Sequence, residues 1–504
     1  MDNAATENKT QRDKQFQTDH LLGDLKGRAA RGGAIALISQ SAKFALHIGS
    51  TMILARLLTP ADFGMIAMVS AFTGFVMLFR DLGLTAATVQ RGEVNHSQVS
   101  TVFWINVGVS IVLAGIVASM APFVAWLYGE PELSLVTAVI GATFVFGGFT
   151  SQHTALLQRQ MRFTTLAGIE ITAMTVGIAV AIVLAWQGAE YWALVAMTGA
   201  TAFMTMVLSW LCSGWLPGWP RRDAGVMDML RFGGNLMGFN VLSHVRRNAD
   251  NVLLGMMWGS APLGLYSKAY ALVMLPVNQL IRPISSVMVA SLSRVQDSPA
   301  EYTRFFCKAA QASLYLALPV LTYLIVMAEE VVLIILGAHW IEAAFIFQIL
   351  SIFAITQVVA ATTGWIFISL AQTDRMFRWQ IFQASFMVLA FIIGVQWGPE
   401  GVALAATSAS SVTIFPYLAF AFRKSPVSMQ MFFSVIKRPV ALAVIFGLTL
   451  YCARILLNEW LLIWKTLGVT FVASAVVIGI AFSWRSVRND LHTVSGLLQK
   501  SPKR

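Results

Sequence analysis

The stretch VFWINVGVSIVLAGIVASMAPFV, residues 102–124, contains no charged residue and is long enough to cross a bilayer as a helix. Similar stretches recur along most of the 504-residue chain, which is 57% hydrophobic and 12% charged, with a mean hydropathy of +0.70. Soluble domains carry roughly 25% charged residues. The composition therefore argues against soluble domains and predicts an all-α integral membrane protein that forms one polytopic unit.

Apolar windows of about 20 residues, separated by glycine, proline and charged residues, predict fourteen transmembrane helices. They are 33–55, 63–79, 102–124, 135–151, 166–186, 192–211, 235–257, 265–288, 305–327, 344–370, 379–395, 402–422, 440–457 and 461–483. Most of the 35 lysines and arginines fall in alternate connections, as expected of cytoplasmic segments. We therefore expect both termini in the cytoplasm and, because the first 32 residues contain no apolar core, no cleavable signal peptide.

The helices are expected to form two six-helix lobes around a central cavity, followed by two additional helices. The predicted boundaries are a cytoplasmic N-terminal segment (1–32), an N-lobe (33–211), a cytoplasmic connecting loop (212–234), a C-lobe (235–422), a cytoplasmic loop (423–439), two additional transmembrane helices (440–483) and a basic cytoplasmic tail (484–504). The longest predicted outer loop is at about 328–342, so we expect no folded domain outside the membrane.

An internal repeat at an offset of 200 residues pairs the first predicted helix with the seventh. At 100° per residue, the polar residues of each helix fall within one arc of about 100°. The pairs are Gln40 with Asn240, Lys43 with Ser243, His47 with Arg247, Ser50 with Asp250 and Thr51 with Asn251. Six helices separate the copies, so both have the same orientation, which predicts two parallel pseudo-symmetric lobes facing one polar cavity.

Charges near the middle of predicted helices are costly in lipid and are therefore the candidate functional residues. The predicted substrate-binding residues are Arg247, Arg246, Lys43, His47 and Arg282, and the predicted ion-coupling or ion-pair residues are Asp250 and Glu170. The predicted polar lining of the cavity is Gln40, Ser50, Thr51, Asn240, Ser243 and Asn251. A structural alternative stays open, because Arg246 and Asp250 are spaced i, i+4 and can pair within one helix.

Five stretches carry a family resemblance. They are RLLTPADFG (56–64), FRDLGLTAATVQR (79–91), STVFWINV (100–107), LLQRQMRF (156–163) and NADNVLLGMMWGSAPLGLYSKAY (248–270). With them the chain resembles bacterial polysaccharide exporters of the Wzx type, within the superfamily of multidrug extruders and peptidoglycan lipid flippases. The resemblance implies export of undecaprenyl-pyrophosphate-linked repeat units of exopolysaccharide, capsule or O-antigen type across the bacterial inner membrane. It implies no ligand motif, so the candidate residues above depend on charge geometry.

Two other function classes remain as alternatives. A multidrug extruder of the same superfamily would favour acidic groups in the cavity, whereas basic groups dominate here. A membrane-embedded polysaccharide polymerase or ligase would need a large outer loop or a close pair of carboxylates. We therefore expect a transporter using alternating access, not an enzyme.

We expect no cofactor and no metal, and the three cysteines form no CxxC pair. The expected partners are the lipid-linked oligosaccharide, the lipid bilayer, a polysaccharide polymerase and chain-length or export proteins. Nucleic acid is not expected, because the basic residues are scattered over many short loops.

Overall fold

The computed structural model describes residues 25–80, 85, 88–89, 94–220, 237–457 and 461–483, and within these ranges the chain is helical and contains no strand. The helices, numbered in chain order, are α1 (Leu25–Leu57), α2 (Pro60–Met77), α3 (His96–Tyr128), α4 (Glu132–Arg159), α5 (Phe163–Trp186), α6 (Trp192–Ser213), α7 (Met237–Trp258), α8 (Ser260–Arg294), α9 (Pro299–Val326), α10 (Ala328–Ile335), α11 (Ala343–Ser369), α12 (Thr373–Gly394), α13 (Gly398–Phe422), α14 (Met429–Leu456) and α15 (Leu462–Ser483). Apart from the short α10, each described helix corresponds to one of the fourteen predicted spans. The all-α membrane fold is therefore confirmed. Most of the predicted N-terminal segment, most of the connecting loop and all of the predicted tail lie outside the described residues.

Several helices extend beyond the apolar windows that predicted them, because capped polar turns continue their backbone hydrogen bonding. α3 begins at His96 rather than at 102, and the Asn95 side chain accepts from the Gln98 backbone N–H at 2.8 Å. α14 begins at Met429 rather than at 440, and the Ser428 hydroxyl accepts from the Met431 backbone N–H at 3.2 Å. Apolar windows thus mark the membrane crossing but not the end of the helix.

The RLLTPADFG stretch builds the start of α2. Thr59 caps the helix in a capping box with Asp62, and Pro60 occupies the first turn, where its missing N–H costs nothing. Gly64 allows the backbone of Ser260 to approach closely, since a Cβ at position 64 would lie 1.8 Å from the Ser260 carbonyl oxygen. The role of this motif in the structure is therefore local folding and close helix packing.

Ten stretches of the described chain are long and apolar enough to cross a membrane, and one of them, Thr373–Phe422, contains both α12 and α13. Four described helices lie outside this set, namely α1, α7, the short α10 and α15. The apolar part of α15 is the shorter stretch Leu462–Val476. α1 and α7 are the two helices on which the sequence predicted polar stripes. Their polarity separates them from the apolar helices around them in the chain.

The chain divides into two compact units, Met1–Ala261 (unit 1) and Pro262–Arg504 (unit 2). Unit 1 includes α7, whereas the sequence placed the start of the C-lobe at 235. α7 packs on α2, where the His244 Nε2 atom donates to the Ala71 carbonyl oxygen at 3.0 Å. The predicted division into membrane lobes stays a prediction.

Small residues bring the helices of unit 1 together. α5 meets α6 at Gly177, where a Cβ would lie 1.9 Å from the Thr201 hydroxyl oxygen. α4 meets α3 at Gly148, where a Cβ would lie 2.7 Å from the Ser110 hydroxyl oxygen. Close backbone approach at small residues is typical of membrane helices, because lipid provides no hydrophobic force between them.

Unit 2 has an aromatic core between α9, α11 and α14. Phe306 and Phe432 are fully buried there. The Tyr302 hydroxyl lies 2.7 Å from the Ser369 hydroxyl, and the Trp365 indole N–H donates to the Ser285 hydroxyl at 2.8 Å. The polar atoms of these buried aromatic side chains are therefore satisfied within the core.

A cluster of charged residues joins the last two helices to α10. Arg454 on α14 donates from Nε to the Glu330 carboxylate at 2.7 Å and from Nη2 to the Glu329 carboxylate at 2.8 Å. Lys465 on α15 lies 3.2 Å from the same Glu330 oxygen, and the Glu330 side chain is 3% exposed. We call Glu329, Glu330, Arg454 and Lys465 the Glu330 cluster; it attaches both additional helices to α10 within unit 2.

Candidate functional site

The predicted polar stripe of α1 divides between exposed and buried positions. Gln40 and His47 are exposed and Lys43 is half-buried, whereas Ser50 and Thr51 are buried. The Ser50 hydroxyl donates to the carbonyl oxygen of His47 at 2.9 Å. The half of the stripe towards Lys43 is therefore the accessible half, and the role of the whole stripe as cavity lining stays a prediction.

Two predicted site residues of unit 1 form an ion pair. The Lys43 ammonium lies 2.6 Å from a carboxylate oxygen of Glu170, where α1 packs on α5. The two side chains are 30% and 51% exposed, so the pair is accessible from outside the helix bundle. Of the two roles predicted for Glu170, the structure thus shows an ion pair in this conformation.

The predicted charges of α7 point in different directions. Arg247 is exposed, Arg246 is half-buried and Asp250 is 4% exposed. The Asp250 carboxylate accepts from the backbone N–H of Asn251 at 2.8 Å, and Asn251 is half-buried.

The other predicted residues are placed as follows. The side chains of Asn240 and Ser243 lie outside the described residues, although their backbone belongs to α7. Arg282 is exposed on α8, in unit 2. Substrate binding by Arg247, Arg246 and Arg282 stays a prediction.

A polar groove between α2, α4 and α6 is the main feature that the sequence analysis missed. Its volume is about 530 Å³, and it lies entirely within unit 1. Its hydroxyl-bearing residues are Ser70 and Thr73 on α2, Thr143, Thr150, Ser151 and Thr154 on α4, and Thr198 and Thr205 on α6. Arg80, which follows α2, also lines it. We call these residues together the hydroxyl groove.

Seven of the eight hydroxyls of this groove donate their protons to backbone carbonyl oxygens of their own helices. Thr150 donates to the Phe146 carbonyl oxygen at 2.7 Å, and Thr198 donates to the Leu194 carbonyl oxygen at 3.1 Å. The other hydroxyl-to-carbonyl bonds of this kind are Thr73 to Val69, Thr143 to Ile140, Ser151 to Gly147, Thr154 to Ser151 and Thr205 to Thr201. A hydroxyl whose proton is used in this way keeps lone pairs with which it accepts. The groove therefore presents oxygen acceptors to whatever enters it.

Arg80 adds a positive charge to this groove. Gly147 makes room for it, since a Cβ at position 147 would lie 2.7 Å from Arg80 Nη1. Gly74, which also lines the groove, lies against His244 of α7, whose Cε1 would be 2.9 Å from a Cβ at position 74. The polar helix α7 and the groove thus share α2 as a common element.

Periodicity alone shows one face of this groove, the threonine row of α4. Thr143, Thr150 and Thr154 are spaced i, i+7 and i+11, and Gly147 falls between them on the same face. A charge in lipid is a stronger sequence signal than a row of threonines, because threonine is common in membrane helices. Only the meeting of three such faces distinguishes a groove from ordinary packing.

The fold is that of a multi-span helical membrane protein. A solved structure of the lipid II flippase MurJ, in an inward closed conformation, superimposes with a TM-score of 0.71. The alignment covers 91% of this chain and 99% of that chain at 13% sequence identity. At this identity the likeness shows the fold.

The chain belongs to the family described as polysaccharide biosynthesis protein, whose model matches residues 53–345. It is 24% identical over 388 residues to the lipopolysaccharide biosynthesis protein WzxC of Escherichia coli K12, covering 75% of this chain and 78% of that protein. It is 23% identical over 328 residues to the teichuronic acid biosynthesis protein TuaB of Bacillus subtilis 168, covering 65% and 68%. The predicted resemblance to polysaccharide exporters of the Wzx type is confirmed.

Proposed function

We propose that this protein is a flippase that moves undecaprenyl-pyrophosphate-linked polysaccharide repeat units to the outer leaflet of the bacterial inner membrane. The observation that carries the proposal is the hydroxyl groove, in which eight hydroxyl-bearing residues and Arg80 line a space between apolar helices. Membership of the polysaccharide biosynthesis family and the MurJ-like fold support it.

The groove suits the glycan part of such a substrate. A sugar carries many hydroxyl donors, and these need acceptors once they leave water. Thr143 and Thr154 are separated by about 16 Å along α4, at 1.5 Å per residue, which is about half of the bilayer core. A row of acceptors of this length offers an oligosaccharide a path through the apolar region, while the polyprenyl chain remains in lipid.

The cations near these helices suit the pyrophosphate. A guanidinium group matches phosphate oxygens with two parallel hydrogen bonds, and Arg80 lines the groove while Arg247 is exposed on α7. Lys43 and His47 supply further positive or polar groups on α1. In the proposed cycle, the pyrophosphate competes with Glu170 for Lys43, so substrate binding opens an ion pair that is already accessible.

The proposal also covers the energy source of transport and the orientation of the protein in the membrane. We assign both termini to the cytoplasm, and alternating access between two lobes carries the headgroup across. Asp250 and Glu170 are the candidates for coupling to an ion gradient. The proposed partners are the lipid-linked oligosaccharide, the bilayer, and the polymerase and chain-length or export proteins that act on the same product.

A multidrug extruder is the second candidate function. Cationic drugs would require acidic groups, but among the described residues that line the groove the charged one is Arg80. A positive charge at that position repels cations and attracts phosphate. The groove chemistry therefore favours the lipid-linked glycan.

Leaflet-resolved detection of lipid-linked oligosaccharide tests the proposal. In a strain lacking this gene, we expect repeat units to accumulate in the inner leaflet, and the wild-type gene should restore export. Arg80→Ala should fail to restore it with normal protein in the membrane, while Arg80→Lys should restore part. The matched control is Arg304→Ala, an exposed arginine in the second turn of α9. Unchanged leaflet distribution in the deletion strain would refute the proposed function.

A further inference from the structure

A second basic pocket lies in unit 2, where α12 begins and α13 ends. Its volume is about 340 Å³, and it is lined by Arg375, Arg378, Trp379, Phe382, Phe420 and Lys424. We call it the basic aromatic pocket. α12 and α13 pack as antiparallel neighbours, so these two helix ends lie at the same edge of the helix pair. The pocket is separate from the hydroxyl groove, which belongs to unit 1.

Arg375 is held in place at this pocket by three contacts. Its guanidinium donates to the side-chain oxygen of Gln372 and to the carbonyl oxygen of Phe420. It also lies 4.5 Å from the centre of the Phe420 ring, a cation–π contact. Gln372 in turn donates to the Lys424 carbonyl oxygen at 2.7 Å, which ties the two helix ends together.

The other two cations of the pocket remain accessible. Arg378 and Lys424 are exposed, and Asp374, the acidic residue of the same turn, is not among the lining residues. The described lining thus carries three positive charges and no negative one. Such a concentration of cations at one opening favours an anionic occupant.

The pocket also has an aromatic side that continues into a lipid-facing surface. Trp379 stacks on Phe420 with a ring distance of 5.6 Å and lies 5.2 Å from Phe382, which is 51% exposed. Further along α12, Leu389 and Ile393 are exposed apolar residues. An occupant that fits both sides is amphiphilic, with a negative head and an apolar tail. Tryptophan is also typical of the level where headgroups meet the hydrocarbon.

We infer that the basic aromatic pocket binds the phosphate of an anionic phospholipid, such as phosphatidylglycerol, whose acyl chains lie along the exposed face of α12. Basic pockets at the ends of membrane helices are suited to such headgroups. A resident lipid is favoured over a soluble anion because the apolar face adjoins the cations. The leaflet follows from the proposed orientation, which places Arg375, Arg378 and Lys424 on the cytoplasmic side. The inference concerns a resident lipid and is independent of the transported substrate.

The test compares lipid binding by the purified full-length protein and by a variant with the accessible charges reversed. Arg378→Glu with Lys424→Glu changes two exposed residues, so the fold should persist. The matched control, Arg294→Glu with Lys437→Glu, makes the same charge change at exposed positions outside the pocket. The probe is phosphatidylglycerol in phosphatidylcholine vesicles, and the readout is the number of lipids retained in native mass spectrometry and their apparent affinity.

We expect the pocket variant to bind phosphatidylglycerol at least tenfold more weakly, since each cation near a membrane surface contributes roughly a fivefold factor. The control variant should bind as the wild type does. Equal loss in both variants would indicate general surface charge and would overturn the inference, as would full retention by the pocket variant. Displacement by inorganic phosphate or pyrophosphate at similar concentration would show a free-phosphate site and would also overturn it. Arg378→Gln with Lys424→Gln, a milder change, should give an intermediate loss.

This binding experiment can fail without affecting the proposed function. A protein that flips lipid-linked glycans need not hold a phosphatidylglycerol molecule at α12. Conversely, normal leaflet distribution in the deletion strain would leave the measured affinity of this pocket unchanged.

Discussion

In unit 2, Glu330 is 3% exposed and pairs with both Arg454 and Lys465, whereas in unit 1 Lys43 and Glu170 pair at 30% and 51% exposure. Both arrangements place opposite charges within hydrogen-bonding distance in a membrane protein. The first is enclosed by protein and joins three helices. The second lies on an accessible face of α1 and α5.

The difference separates structural charge from charge that is available for function. The stability of the fold depends strongly on the partners of a buried carboxylate, because losing one partner leaves an uncompensated charge in a medium of low dielectric. In a pair that protein encloses only partly, polar groups of a bound substrate can reach either charge and replace its partner, so we expect weaker coupling. We therefore expect substitutions at Glu330 to change mainly the stability of the protein and substitutions at Lys43 to change mainly transport.

The largest effect is expected at Glu330. Glu330→Gln removes the buried carboxylate that Arg454 and Lys465 share and should destabilise the folded protein by about 3 to 5 kcal/mol. The measurement is the unfolding free energy or melting temperature in detergent. Glu329→Gln is the matched control, because Glu329 also pairs with Arg454 but is 56% exposed, so its loss should cost less than about 1 kcal/mol. Equal losses of unfolding free energy at the two positions would contradict the distinction between the buried and the exposed carboxylate.

The Glu330 cluster also shows what the sequence could not predict. The fourteen long helices follow from apolar windows, because an unbroken apolar run is a strong and local signal. The short helix α10 lies in a predicted loop, and its pairing with Arg454 joins residues more than a hundred positions apart. No local pattern predicts such a contact. Arg454 and Lys465 read from the sequence only as basic residues near helix ends.

The next effect is expected at Arg247, which is exposed on the same unit as the hydroxyl groove. Arg247→Ala should abolish polysaccharide export, because the variant lacks the guanidinium group proposed to receive the pyrophosphate. Protein in the membrane should stay at the wild-type level, because Arg247 is exposed. Arg247→Lys should retain part of the export, since it keeps the charge and loses the guanidinium fork. Export is measured as polysaccharide released by complemented cells.

Arg294→Ala is the control for this variant, since Arg294 is an exposed arginine at the end of α8. It should export normally. Wild-type export by Arg247→Ala would mean that this residue does not contact the substrate, and the predicted polar stripe of α7 would then be structural.

The site itself was predictable in part. Lys43 and Glu170 were found because charges inside apolar helices stand out, and the structure brings them together. The hydroxyl groove was not found, because each of its three helices shows only an unremarkable row of serine and threonine. Which rows face each other depends on helix packing, and packing here is decided by close contacts such as those at Gly177 and Gly148.

A smaller effect is expected in the groove. Replacing Thr150 and Thr198 together by valine preserves side-chain volume and removes two acceptors, each contributing about 0.5 to 1.5 kcal/mol. Transport should therefore fall roughly tenfold at limiting substrate, with unchanged melting temperature. The control is Thr175→Val on α5, an exposed threonine that donates to the Ile171 carbonyl oxygen in the same way but lies outside the groove. Normal transport by the double variant would show that the glycan follows another path.

The smallest effect on stability is expected for the accessible ion pair of unit 1. In a double-mutant cycle of Lys43→Gln and Glu170→Gln, the coupling free energy should be about 0.2 to 1 kcal/mol, the range of exposed pairs. The unfolding free energy in detergent provides the measurement. A coupling of several kcal/mol would place this pair with the Glu330 cluster as structural charge, and the comparison between the units would no longer hold.

A variant in which the two charges are exchanged tests separately how this ion pair contributes to stability and to transport. Lys43→Glu combined with Glu170→Lys keeps one cation and one anion between α1 and α5, so the melting temperature should stay close to that of the wild type. The cation then sits on α5 instead of α1, away from the stripe that contains Gln40 and His47. If the pyrophosphate is received by Lys43 on that stripe, export should fall although the pair is intact. Wild-type export by the exchanged variant would show that only the pairing matters, which would assign Lys43 and Glu170 to the attachment of α1 on α5.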